Sequence, residues 1–185
     1  MGMRIVAGKY RHLQIKYPET QDTRPTMDRV REAIFSALGD NVDGANVLDL
    51  FAGSGAMGLE ALSRGASSCT FVDQSKIAVD CVRTNITKIK VSEPTRIVLS
   101  DALKYLETMK EEKIDILFLD PPYANKAIYS QCITYMINNK KLSEDAIIVA
   151  ESDDENLLDS FDFLDKFSGY KKYKYGHTYV YIIRS

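Results

Sequence analysis

The feature that most constrains this chain is a short apolar run that stops at two prolines. Asp115-Ile116-Leu117-Phe118-Leu119 is followed directly by Asp120-Pro121-Pro122-Tyr123. A run apolar on both faces reads as a buried parallel strand. Two consecutive prolines cannot continue a hydrogen-bonded ladder, so the strand must end at Leu119. Similar runs recur along the chain. Strands are expected over 46–51, 69–73, 95–99, 114–119 and 146–151. Between them, helices are expected from a glycine turn through about Arg64, and over 77–89, 102–109 and 128–138. Such alternation predicts an α/β fold, a mostly parallel sheet with helices on both faces. Past residue 155 a short helix or loop is expected. Residues 170–175 and 178–183 then alternate and read as a terminal hairpin around Gly176-His177.

The chain opens differently. Arg4–Gly8 and Leu13–Tyr17 look like two short strands turning near residues 8–11, with a loop over 18–22. Thr26 is a candidate N-cap. The helix after it would bury Val30, Ile34, Phe35 and Leu38 and end at Gly39. Arg24, Arg29 and Arg31 crowd its first turns, where cations oppose the helix dipole, and this hints at an anionic partner. A length of 185 residues predicts one domain. Residues 1–25 would be an N-terminal arm and 26–185 the catalytic sheet. Because that sheet begins near Asn46, the arm is expected to be unnecessary for building a cofactor site.

Charge is unevenly spread, although the net is only −2. Residues 1–31 hold seven Lys/Arg against three Asp/Glu, and residues 166–185 hold five Lys/Arg and no acid. Two basic ends could form one patch for a nucleic acid. Cys69, Cys81 and Cys132 are widely spaced, which argues for a reducing cytoplasmic setting and against a disulfide framework. With only His12 and His177, no metal site is expected. No apolar run nears the ~20 residues of a membrane span, and no leader-like segment opens the chain.

Gly53, Gly55 and Gly58 match the dinucleotide spacing G-x-G-x-x-G after the strand at 46–51. A nicotinamide enzyme is therefore one reading. Asp49 argues for another. Just upstream of the loop, its charge would repel a pyrophosphate and favour a cation. S-adenosyl-L-methionine carries a sulfonium and an ammonium and no phosphate. Asp73, ending the next strand, could accept from ribose hydroxyls. Asp101, ending the third, could meet an adenine amine. Phe51, Ser54 and Ala102 flank these positions. Each aspartate alone would be an ordinary turn or cap residue. Acids at four successive strand ends, Asp49, Asp73, Asp101 and Asp120, are harder to dismiss.

The tetrapeptide suits methylation of an exocyclic amine on a nucleobase. Such an amine is a poor nucleophile, because its lone pair is delocalised into the ring. The Asp120 carboxylate and the Pro121 carbonyl could each accept one N–H and localise that lone pair. Tyr123 could stack on the extruded base. No Pro-Cys pair offers the thiolate that ring-carbon methylation of cytosine requires.

Several segments then resemble one family. They are Arg4-Ile5-Val6-Ala7-Gly8, Thr23-Arg24-Pro25-Thr26 with Val30-Arg31-Glu32-Ala33-Ile34-Phe35, the stretch from Leu48 to Gly58 with the following residues to Ala66, and Leu119 to Tyr123. Together they resemble the bacterial methyltransferases that modify guanine N2 in small-subunit (16S) ribosomal RNA. The likeness covers nearly the whole chain. It implies a Rossmann-like class I methyltransferase sheet of seven strands with an N-terminal β-hairpin, and S-adenosylmethionine as cofactor. It also implies ribosomal RNA or the small ribosomal subunit as partner, bound by a basic arm. Arg4, Lys9, Arg11, Arg24, Arg29 and Arg31 are the candidate RNA contacts, and a monomer is expected. The chain departs from the family at Tyr10-Arg11-His12, where the hairpin turn usually carries a glycine. Should the arm prove structural, Lys171, Lys172 and Lys174 are the next candidate surface. The residues alone leave open a DNA adenine-N6 methyltransferase, a nicotinamide oxidoreductase or a non-catalytic RNA-binding module.

Overall fold

A computed structural model describes residues 3–18, 28–110, 112–122 and 125–185. The elements, in chain order, are α1 (Asp28–Leu38), β1 (Asn46–Asp49), α2 (Ala56–Ser63), β2 (Ser68–Asp73), α3 (Lys76–Ile89), β3 (Thr95–Leu99) and α4 (Ala102–Thr108). There follow β4 (Ile114–Leu119), α5 (Ala127–Asn138), β5 (Leu142–Ser152), β6 (Gly169–Tyr175) and β7 (Thr178–Arg184). Two short 3-10 turns, Leu157–Ser160 and Leu164–Lys166, fill the region expected to be helix or loop. The candidate cap Thr26 lies outside the described residues.

Seven strands make one sheet in the order β3-β2-β1-β4-β5-β7-β6. The first five are parallel; β7 runs antiparallel to β5, and β6 antiparallel to β7. Strand alternation sorts the core into two layers. Val47, Ile116, Phe118, Ile147, Val149, Val180 and Ile182 meet buried residues of α1 and α2. Their sequence neighbours Leu48, Leu117, Leu119, Ile148, Ala150, Tyr181 and Ile183 meet α4 and α5. This explains why the β4 run is apolar at every position from Ile116 to Leu119. Burying each such side chain stabilises the fold by about 1.5–3 kcal/mol before entropy is counted.

Two strand boundaries differ from expectation by more than one residue. β5 begins at Leu142, not 146: Leu142 pairs with Ile114, and a register shift between Ile114 and Ile116 leaves the polar Ser143, Glu144 and Asp145 partly exposed before the apolar run. β1 stops at Asp49, where the chain turns into the glycine loop.

The N-terminal arm departs further. In place of two strands there is one antiparallel bridge, Arg4 to Gln14. Ile5 N donates to Leu13 O, His12 N to Ile5 O and Ile15 N to Met3 O, so the hairpin shape survives. Beyond Ile5, however, the backbone bonds to α2 instead. Val6 N and Ala7 N donate to the Glu60 carboxylate at 2.7 and 3.0 Å. Lys9 N donates to Ser63 O at 2.7 Å, and Tyr10 N to Ser63 Oγ at 2.9 Å. An N–H spent on a helix cannot join a ladder. Met3, Ile5, Tyr10 and Ile15 are buried in the same cluster as α1 and α2. In the turn where the resembled family carries glycine, His12 takes the left-handed conformation at φ 70°. A histidine tolerates it at modest cost.

Candidate active site

Chain order reverses between β1 and β4. From β1 the sheet grows outward through β2 and β3, then β4 returns to β1's other side. In open α/β sheets the crevice at such a switch point, beyond the strands' carboxyl ends, is where ligands bind. Asp49 ends β1, and its register partner on β4 is Phe118, two residues before Asp120. Asp73 ends β2, and Asp101 caps the helix after β3. The four acids therefore lie along one edge of four adjacent parallel strands.

The glycine loop joins β1 to α2. Gly55 is the N-cap of α2 and adopts φ 78°, a left-handed conformation that favours glycine. Gly58 is required for a different reason. A Cβ there would lie 2.3 Å from the Phe71 ring and 2.6 Å from Cys69 Sγ, so α2 could not seat on β2. The third glycine of the motif thus serves helix–strand packing and carries no information about a dinucleotide. The loop's N–H groups are also engaged. Gly53 N donates to Asp73 Oδ2 at 2.9 Å, Gly55 N to Ala52 O at 2.6 Å, and Gly58 N to Asp49 Oδ2 at 3.2 Å. A pyrophosphate would need such donors free.

Asp49 is 4% exposed. Burial pushes its carboxyl up to about 7, the Gly58 N–H pulls it down, and the Asp73 charge adds to the rise. Asp120 is half-buried. Burial, then the charges of Glu151 and Asp49, hold it well above the usual carboxylate range. Crowded acids of this kind favour a cationic ligand, which would let them ionise. That is the chemistry of a sulfonium and an ammonium, so the donor set fits S-adenosylmethionine and disfavours a dinucleotide.

Asp73 also accepts from Ser75 N at 2.8 Å, so its carboxylate fixes the loop as well as facing the strand ends. Asp101 is exposed and accepts from Lys104 N at 3.2 Å as the N-cap of α4. Phe51 is half-buried, whereas Ser54, Ala102 and Pro121 are buried. Tyr123 and Arg24 lie outside the described residues. Glu151 was not among the sequence candidates. The register Leu119 to Ala150 places it beside Asp120 on β5. The signal was available: Glu151 closes the strand expected over 146–151, the same placement that marked the other four acids.

The basic residues divide. Arg11 and Arg29 are exposed. Arg4 pairs with Asp28 at 3.1 Å. Lys9 reaches Glu93 at 2.7 Å. Burial opposes the charge on Glu93, yet Lys9 and Tyr10 hold it at about 2. Arg31 is corrected outright as an RNA contact. Its side chain is fully buried, donating to Arg4 O at 2.5 Å and Asp28 at 2.8 Å, with Glu60 3.8 Å away. In the terminal hairpin, Lys172 lies 3.7 Å from Glu155, and Lys174 covers the Tyr179 ring at 5.1 Å. Among the described residues no group of His, Cys, Asp and Glu could hold a metal ion, and no helix is long and apolar enough to cross a membrane.

The chain is similar to known proteins along most of its length. The family described as conserved hypothetical protein 95 matches residues 3–184. Ribosomal RNA small subunit methyltransferase D of Escherichia coli is 36% identical over 156 residues, covering 84% of this chain and 77% of that protein. Its namesake in Haemophilus influenzae is 32% identical over 158 residues, covering 84% and 81%. A solved structure of a hypothetical protein from Thermus thermophilus superposes with a TM-score of 0.80 at 26% identity, covering 99% of each chain. The chain belongs to this family, conserved hypothetical protein 95, alongside the ribosomal RNA small subunit methyltransferase D proteins.

Proposed function

We propose that the protein uses S-adenosylmethionine to methylate the exocyclic N2 amine of a guanine in 16S ribosomal RNA, in the reducing cytoplasm. The observation that carries this reading is Asp120 placed beside Asp49 at the switch point, one acid for the amine and one for a cation. When bound, the cofactor supplies an electrophilic methyl group. Asp49 holds the cofactor's positive charge, Asp73 its ribose and Asp101 its adenine amine, with Phe51, Gly53, Ser54, Gly55 and Ala102 lining the site. Asp120 and the Pro121 carbonyl accept the two N–H groups of the amine and free its lone pair. Tyr123 stacks on the base. Arg11 and Arg29 hold backbone phosphates, with Arg4 and Lys9 joining once their surface partners yield. The exposed Arg4–Asp28 pair is worth about 0–1 kcal/mol, so exchanging its carboxylate for a phosphate is cheap, whereas Lys9 must leave the more buried Glu93.

The test is product identification. The protein is incubated with tritiated cofactor and separate pools of ribosomal RNA, small subunits and DNA, and the labelled nucleoside is identified. N2-methylguanosine from small-subunit RNA is expected; label on DNA adenine would overturn the reading. Asp120→Ala should keep cofactor affinity while turnover falls about a hundredfold or more, since its contact matters most in the transition state.

A further inference from the structure

The arm that should hold RNA and the loop that should hold cofactor are joined through one buried side chain. Asn85 projects from α3 and is fully buried. Its Oδ1 accepts from Lys16 N at 2.8 Å. Its Nδ2 donates to Lys16 O at 2.8 Å and to Ser54 O at 2.9 Å. Only one amide orientation satisfies all three, because an N–H faces one end and two carbonyls face the other. Lys16 belongs to the arm and Ser54 to the glycine loop. A second link lies nearby, Ser54 Oγ to Met3 Sδ at 3.5 Å.

We infer that Asn85 is a positioning residue that couples RNA held by the arm to cofactor held by the glycine loop. The inference rests on the reading of the arm as an RNA clamp. A ligand that fixes the arm fixes the Lys16 backbone, and through both ends of the Asn85 amide it fixes the Ser54 carbonyl. The loop is then ordered before cofactor arrives, and cofactor binds more tightly. Linkage makes the effect reciprocal, with cofactor tightening RNA by the same factor. An apolar residue at position 85 would fill the space and break the connection. Asn85 is a polar group enclosed in the core, which is costly unless its partners are specific. Among the described residues the amide bonds to the arm and the loop, and beyond them approaches its own helix neighbour Cys81, at 3.7 Å.

The experiment measures S-adenosylhomocysteine affinity by calorimetry with and without small-subunit ribosomal RNA, for the intact chain and for Asn85→Ala. For the unaltered protein RNA should tighten the ligand by at least about fivefold. In Asn85→Ala the affinity measured without RNA should change little, RNA should no longer tighten it, and the ratio should fall to near one. Hydrogen exchange supplies a second measure: RNA should slow exchange at residues 53–59 in the unaltered protein and not in the variant. If Asn85→Ala does not fold, Asn85→Leu carries the same test, because it fills the space and removes both hydrogen-bonding ends without leaving a cavity. A merely structural role would lower melting temperature and leave the ratio intact, and that result, or no coupling in the unaltered protein, overturns the inference. Absence of methylation on any RNA by the unaltered protein would instead reject the functional reading beneath it.

Discussion

Two buried acids, Glu60 on α2 and Asp49 just before it, show how differently one helix can use a carboxylate. Glu60 is fully buried and surrounded by donors. Val6 N, Ala7 N and Arg64 Nε lie within 2.7–3.0 Å, and Arg31 Nε lies at 3.8 Å. Its charge is matched by the arm and two arginines. Asp49 is buried almost as deeply, yet it accepts from the Gly58 backbone N–H, and among the described residues no cation pairs with it. The first carboxylate closes a structural joint. The second is stored out of balance, and a cationic ligand would restore the balance. Burial of an acid is therefore no sign of function by itself; the sign is burial without a countercharge.

Breaking the balanced site should cost most. Glu60→Ala removes one of the two carboxylates beside buried Arg31 and strips two arm N–H groups of their acceptor. A loss of about 3–5 kcal/mol is expected in denaturant unfolding. A loss under about 1 kcal/mol, the range of an ordinary surface pair, would show that the arm is not held by this joint.

The unbalanced site should respond to pH in the opposite sense to an ion-paired acid. An unfolded chain ionises Asp49 near 4, whereas the folded unliganded protein keeps it protonated up to about 7. The folded state binds more protons across that window, so stability falls as pH rises from about 4 to about 7, by up to about 4 kcal/mol. Asp49→Asn should reduce this slope to the part that Asp120 contributes. Cofactor affinity should climb with pH until about 7 in the unaltered protein and climb less steeply in the variant. Equal slopes in both would mean that Asp49 does not meet the cation.

Asn85→Ala sits between these extremes. It removes a satisfied buried amide and leaves the Lys16 and Ser54 backbone groups short of a partner. A cost of about 1–3 kcal/mol is expected from thermal unfolding. A neutral result would show that water replaces the amide.

Arg11→Glu tests a charge with nothing beneath it, and its effect on stability should stay within about 0.5 kcal/mol. RNA binding should weaken, and the log–log salt slope should flatten by roughly 0.7–0.9 for each phosphate no longer held. An unchanged slope would confine the arm to a structural role.

Periodicity and prolines made the sheet legible. The β3 and β4 bounds, the acids at successive strand ends and the terminal hairpin follow from local rules that a linear chain displays. The glycine spacing was ambiguous for a clear reason. Gly58 answers to a collision with Phe71 and Cys69, which any helix packed on this strand would share. Arg31 was misread because helical position does not reveal what lies opposite, and here the Arg4 carbonyl and Glu60 lie opposite. The arm was misread in the same way. Its expected independence rested on distance along the chain from Asn46, yet Glu60, Ser63 and Asn85 bind it across 53 to 69 residues. The sequence by itself determined the layered α/β architecture and the edge where chemistry occurs, because strand period, proline chemistry and acid placement are local. Only the tertiary structure decided which charges are free and which are spent, because a charge is neutralised by its neighbours in space.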